Sequence, residues 1–130
     1  ERYVQQALTA YRKTPDTVPI FCDGGDVELQ PQQILYAEMS ARKVCLHLQG
    51  AERDLLYTTA TMADLADLLE NHGFVRTHKS ILVNMEHIRD LQSTRLYLRD
   101  GTELPVSSHT ASAVRKIYTQ WRSAKKWVIG

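Results

Sequence analysis

The chain lacks most of what would announce an enzyme, a metalloprotein or a membrane protein. No run of about eighteen apolar residues occurs, and the opening stretch ERYVQQALTA has neither the apolar centre nor the small-residue cleavage site of a signal peptide. Neither a helical span nor a secretory leader is therefore expected in this stretch, and the chain reads as a cytoplasmic type. Because the chain begins with Glu1 and not with Met, it is expected to be a piece of a longer protein with a further domain upstream. Cysteine is scarce: Cys22 and Cys45 stand far apart in apolar surroundings and form no C-x-x-C, so both are read as buried, reduced thiols. The 5 histidines form neither H-x-x-x-H nor H-E-x-x-H, so no metal and no cofactor are expected. Ser80, Ser107, Ser108, His78 and His109 could be drawn as nucleophile and base. No G-x-S-x-G elbow, P-loop or paired-carboxylate motif frames them, so no catalytic residue and no small-molecule substrate are assigned.

What the chain has is a near-neutral total with uneven halves. Its 130 residues carry 16 Lys and Arg against 15 Asp and Glu, a size and balance that fit one soluble domain with a hydrophobic core. Residues 1–73 hold 6 basic and 11 acidic side chains, whereas residues 74–130 hold 10 and 4. A basic half on a neutral domain suits one face turned to a polyanion, unless the two sets mix in space.

Glu1 to Lys13 has Tyr3, Val4, Ala7, Leu8 and Tyr11 near helical spacing, ended by Pro15, so residues 1–16 read as a linker helix or the tail of an upstream domain. From Val18 to Thr58, short apolar runs separated by Gly24-Gly25-Asp26, Gln30-Pro31 and Gln49-Gly50 predict strands and turns. Thr61 and Asp64 suit a helix start, Met62, Leu65, Ala66 and Leu69 form a stripe, and Gly73 a stop, so a helix is predicted over 61–71. Asp100-Gly101 between RLYLR and TELPV predicts a two-residue hairpin, with Leu96, Leu98, Leu104 and Val106 inward and Pro105 on an edge strand. Ser107 or Ser108 is expected to cap a last helix whose buried stripe is Val114, Ile117, Tyr118 and Trp121. No internal repeat or low-complexity segment is present.

The pattern Phe74-x-Arg76-x-His78-x-Ser80-x-Leu82-Val83-Asn84-x-x-x-Ile88, followed by the Asp-Gly hairpin and Leu104-Pro105-Val106-Ser107, resembles the LytTR DNA-binding domain, an output module of bacterial response regulators. The resemblance runs from about Val18 to Tyr118, with Tyr36-Ala37-Glu38 also fitting, and places the domain at residues 17–124 with a tail at 125–130. It implies a mostly β, elongated antiparallel fold of short sheets with one middle helix and a C-terminal helix. It also implies binding of double-stranded DNA through loops that enter successive major grooves, on paired direct repeats and as a homodimer joined through an upstream domain.

Carried over by position, three segments would meet DNA: Ser40 to Lys43, Arg76 to Ser80, and Ser107 to His109. Arg42 has the donor fork that matches guanine, and Lys79 and His109 are assigned with it to base edges. Lys43, Arg76, His78, Ser80, Ser107 and Ser108 are assigned to phosphates, with Arg115 and Lys116 of the last helix. His78 has a structural hydrogen-bonding role as its alternative, and Asn84 reads as a turn or backbone hydrogen-bonding residue. Arg89, Arg95 and Arg99 belong to the frame. The family pattern usually has arginine directly after Pro-Val-Ser, where this chain has Ser108, so a bidentate guanine contact is lost there. The rival function is a protein-interaction module that uses the acidic half and an exposed edge strand.

Overall fold

The computed structural model describes residues 17–129, with side chains described for 17–124. The helix expected before Pro15 and the segment 1–16 lie outside these residues. Strands β1 (Val18–Ile20) and β2 (Val27–Leu29) form a hairpin. β3 (Ile34–Ser40), β4 (Lys43–Leu48), β5 (Leu55–Thr58), β6 (Phe74–His78) and β7 (Ile81–Asn84) make a five-stranded antiparallel sheet in the order β5-β4-β3-β7-β6. β8 (Ile88–Leu91), β9 (Arg95–Leu98) and β10 (Glu103–Pro105) make a three-stranded sheet in which β10 is an edge, as Pro105 required. Helix α1 (Met62–Leu69) lies between β5 and β6 in sequence, and α2 (Ala111–Ile129) ends the described chain. This is the mostly β architecture of short antiparallel sheets with a middle and a C-terminal helix. Among the described residues no helix is long and apolar enough to cross a membrane.

Alternation along the strands sends side chains to the two faces of the five-stranded sheet, and both faces are covered. On one, Ala37, Val44, Leu46, Leu56 and Leu82 pack with Met62, Leu65 and Leu69 of α1 and with Val18, Ile20 and Leu29 of the first hairpin. On the other, Tyr36, Val75, Ile81 and Val83 pack with Leu96, Leu98 and Leu104 of the small sheet and Val114 of α2. Each fully buried Leu or Ile contributes about 1.5–3 kcal/mol. Two-sided burial is why β7 reads as an unbroken buried run and why Cys45 is buried opposite Leu46. Both cysteines are free, but Cys22 is only half-buried, a correction to its expected burial. Asn84, 2% exposed, donates from Nδ2 to the carbonyls of Pro31 (3.2 Å) and Ile34 (3.0 Å) and accepts from the Glu86 N–H (3.0 Å), which clamps two irregular turns together.

Thr61 caps α1 by accepting the Asp64 N–H at 3.0 Å, and the helix passes into a 3-10 turn over Glu70–His72 before Gly73 reverses the chain at φ 85°. A Cβ at Gly73 would lie 2.9 Å from Trp121 Nε1, so this glycine is required both by its backbone and by the approach of α2.

Three expectations are corrected. The β9–β10 loop has three residues, not two. Gly101 N–H donates to the Leu98 carbonyl at 3.0 Å and Leu98 N–H to that of Thr102 at 2.8 Å, so Arg99, Asp100 and Gly101 form the loop, with Gly101 at φ 95°. The Thr102 N–H also holds the Asp100 carboxyl below its usual range. The last helix starts at Ala111, since Ser107 Oγ accepts the His109 N–H at 3.2 Å in a preceding turn and the Thr110 carbonyl takes the first helical bond, from Val114. Ile117 is 42% exposed and stands off the buried stripe that Val114 anchors.

Gly73→Ala is expected to destabilise the domain by about 2 kcal/mol, from left-handed strain and the displaced indole together. Urea unfolding measures it, and a loss below about 0.5 kcal/mol would show that α2 is not held against Gly73.

Candidate nucleic-acid interface

In the β3–β4 hairpin Ser40 pairs with Lys43, so Ala41 and Arg42 alone make the turn, with φ 49° and 72°. Two-residue hairpins of this hand need positive φ at both central positions and ordinarily use Asn-Gly. Here neither residue is glycine, at a cost of about 1–2 kcal/mol each. What the strained turn does is hold the exposed Arg42 at the tip of a rigid hairpin. Lys43 is not a loop residue as expected but the first of β4, with Nζ 3.7 Å from the Asp23 carboxylate and both groups exposed. Such a bridge contributes about 0–1 kcal/mol and leaves the ammonium available.

Beneath this tip the hairpin legs are braced by side chains whose contact the sequence did not reveal. The rings of Tyr36 and His47 stack at 4.2 Å, and His47 Nε2 lies 2.7 Å from Glu38 Oε2. Burial, then the Glu38 charge, pushes the Tyr36 phenol up to about 12, so it stays neutral.

A tight turn follows β6. The β6–β7 register shifts between Arg76 and His78, which leaves Lys79 and Ser80 as the turn. Arg76 Nη2 donates to the Lys79 carbonyl at 2.7 Å, and the Ser80 N–H donates to His78 Nδ1 at 3.1 Å. Arg76 and His78 therefore hold the turn from inside, while Lys79 is exposed at its tip.

This turn and the Arg42 hairpin meet because β3 and β7 are neighbours. Met39 N–H donates to the Ser80 carbonyl at 3.0 Å, just beyond the Glu38–Ile81 pair. The two tips thus leave the same end of the sheet, roughly 10 Å apart at two strand spacings.

The third segment joins that end through Thr77, which is 0% exposed. Its carbonyl accepts the Ser107 N–H at 2.8 Å and the Thr110 hydroxyl at 3.1 Å, and its own hydroxyl donates to the Pro105 carbonyl at 3.3 Å. Ser108 and His109 stay exposed beside the Lys79 turn. A further turn was missed: Val106 N–H donates to the Thr94 carbonyl at 2.9 Å, which sets the exposed Gln92, Ser93 and Thr94 next to this segment. Only its polar, small residues signalled it.

Arg115 and Lys116 are exposed on α2 but lie behind the row of tips, Arg115 donating to the Leu91 carbonyl at 3.3 Å. Arg95 pairs with Glu103 at 3.1 Å, Arg99 donates to the Glu86 carbonyl at 3.2 Å and Arg89 lies over the Tyr97 ring, so all three serve the frame. One end of the sheet therefore presents guanidinium, ammonium, hydroxyl and imidazole groups on short, fixed turns, a set suited to phosphates and base edges. Among the described residues no three His, Cys, Asp or Glu side chains converge as a metal site.

The chain matches the model of the LytTr DNA-binding domain family over residues 25–119, a span that includes all three turn segments. It is 30% identical over 77 residues to the sensory transduction protein LytT of Bacillus subtilis, which is 55% of this chain and 32% of that protein. It thus spans about a third of that relative. The fold is that of a solved LytTr DNA-binding domain from Bacillus cereus, with a TM-score of 0.66, 24% identity, and coverage of 78% of this chain and 94% of that one. The chain belongs to the LytTr DNA-binding domain family.

Proposed function

We propose that this domain reads the sequence of duplex DNA through loops, as the output domain of a bacterial transcriptional regulator acting in the cytoplasm. The observation that carries the reading is the row of three exposed turn segments at one end of the five-stranded sheet, each tied to the next by backbone hydrogen bonds. Arg42 and His109, at the two ends of the row, enter successive major grooves, and Lys79 between them reaches a base edge. Lys43, Arg76, His78, Ser80, Ser107 and Ser108 bind phosphates, and Arg115 and Lys116 extend this contact along α2.

Affinity then comes chiefly from phosphates and specificity from few side chains. One such row covers little sequence, so two protomers bind paired direct repeats, joined through a domain upstream. With Ser108 where the family pattern has arginine, preference is relaxed at one base pair.

Selection from random duplexes at two salt concentrations tests the reading. A sequence preference with binding that weakens steeply as salt rises supports it; binding without preference, or none, favours a protein-interaction module instead. On the selected site, Arg42→Ala and Lys79→Ala are each expected to remove about 1–3 kcal/mol of discrimination at particular base pairs, whereas Lys43→Ala weakens all sequences alike. Uniform weakening by all three would overturn the base assignments. Ser108→Arg is expected to add a preference for guanine worth about 1–3 kcal/mol at one position, measured by competition between duplexes that differ there.

A further inference from the structure

The two edges of the five-stranded sheet are finished differently. β6 is engaged by the Ser107 N–H, which bonds the Thr77 carbonyl, and by α2 packed against it. β5 has no strand beyond it. The Leu48 N–H donates to the Asp54 carbonyl at 2.8 Å, and β5 continues along β4 with Leu56 opposite Leu46 and Thr58 opposite Val44. Bonded residues alternate in an antiparallel ladder, so Leu56 and Thr58 turn their backbone groups to β4 while Leu55 and Tyr57 turn theirs outward. The next outward residue is already served, since the Thr59 N–H donates to the Phe21 carbonyl at 2.9 Å. The chain thus closes its own edge at Thr59. It leaves the N–H and C=O of Leu55 and Tyr57 without a backbone partner among the described residues.

The side chains here are as uncovered as the backbone. Leu55 is 45% and Tyr57 51% exposed, both on the face that the small sheet covers elsewhere. Along the edge runs a groove of about 270 Å³, with Cys22, Asp23 and Lys43 toward its Thr59 end and Arg53 at the other. Open amides beside exposed apolar side chains are a template for one more strand.

The symmetry of the edge decides which strand. Leu55 and Tyr57 lie on either side of Leu56, so a second β5 laid antiparallel about Leu56 sets each Leu55 opposite the partner's Tyr57. Both pairs exchange N–H to carbonyl bonds, and their apolar side chains meet on one face. The same rotation carries Arg53 of each copy toward the partner's Asp23, an exposed carboxylate held only by Lys43 at 3.7 Å. A self-complementary contact of this kind closes after two copies. Phe21 stops the pairing at Thr59, so the contact is short, smaller than the about 1,200 Å² of a stable interface, and the pair is weak and reversible.

We infer that two copies of this chain pair through β5, antiparallel about Leu56, and continue the sheet from one copy into the other. Thr58 is the end of β5 nearest the Arg42 hairpin, because it lies opposite Val44. The paired strands run in opposite directions, so the two rows of tips point away from each other. The contact is therefore distinct from the placing of protomers on direct repeats, and it does not depend on the DNA reading.

The test is sedimentation equilibrium of the full chain from about 10 μM to 1 mM, with the free Cys22 and Cys45 kept reduced. A monomer–dimer equilibrium is expected. By NMR, the Leu55 and Tyr57 amides should exchange about fivefold more slowly at the top of that range than at high dilution, with Leu56 and Thr58, already bonded to β4, as the reference. Tyr57→Lys and Leu55→Lys alter exposed side chains, a thermal melt verifies their folding, and each should leave the chain monomeric throughout. A chain that is monomeric without substitution, or that grows beyond dimers, overturns the inference. Association that survives both substitutions overturns it too, because another surface then holds the copies together. Should neither variant fold, the amides of the unsubstituted chain decide alone, and exchange at Leu55 and Tyr57 that does not slow with concentration overturns the pairing.

Discussion

The carbonyl oxygen of Thr77 is the point on which the candidate interface depends. It accepts from the Ser107 backbone and the Thr110 hydroxyl, and so fastens the start of the C-terminal segment to the edge of the five-stranded sheet. Thr77 is buried, so no water competes for that oxygen, and an unmade bond there would cost about 1–3 kcal/mol. Without this attachment the Ser107–His109 segment would have no fixed relation to the Lys79 turn. The Met39–Ser80 bond does the same between the Lys79 turn and the Arg42 hairpin. Two short backbone links thus turn three separate loops into one surface.

Each tip is stiffened differently. Arg42 is held by a two-residue turn of non-glycine residues at positive φ, a strain that the surrounding sheet over-determines. The stacked Tyr36–His47 pair and Glu38 brace the hairpin farther down its legs. Lys79 is held by Arg76 and His78, which spend hydrogen bonds on the turn itself. A side chain on a fixed turn loses less conformational freedom on meeting a ligand, and more of its contact energy remains for discrimination. The same division of labour separates the cations of the frame from those on display: Arg95 and Arg99 are engaged, while Arg42 and Lys79 stand clear.

Much of this was legible along the chain because it rests on local chemistry. The Thr61 cap, the Gly73 stop, the inward Leu96, Leu98, Leu104 and Val106, and the edge position of Pro105 each follow from a few neighbouring residues, and the structure has them all. The errors are where a local signal had two outcomes. Asp-Gly serves a three-residue loop as well as a two-residue one, and only the Leu98–Thr102 pairing decides between them. A serine before a helix can cap a preceding turn as readily as the helix, as Ser107 does. Ile117 fits the helical stripe by spacing, yet no element of the described chain covers it fully.

By itself the sequence determined the family, the mostly β class, the order of elements and the three segments proposed to meet DNA, because spacing and turn residues are properties of neighbours. Tertiary structure decided that those segments share one end of the sheet, since sheet order and the Thr77 and Ser80 carbonyl bonds join residues far apart in sequence. It decided that Lys43 begins a strand, that Arg76 and His78 serve the Lys79 turn, and that Arg115 belongs with Arg89 and Arg122 in a cleft of its own. Hydrogen-bond partners and shared faces arise only when the sheets pair and pack, so no pattern along the chain could have assigned them.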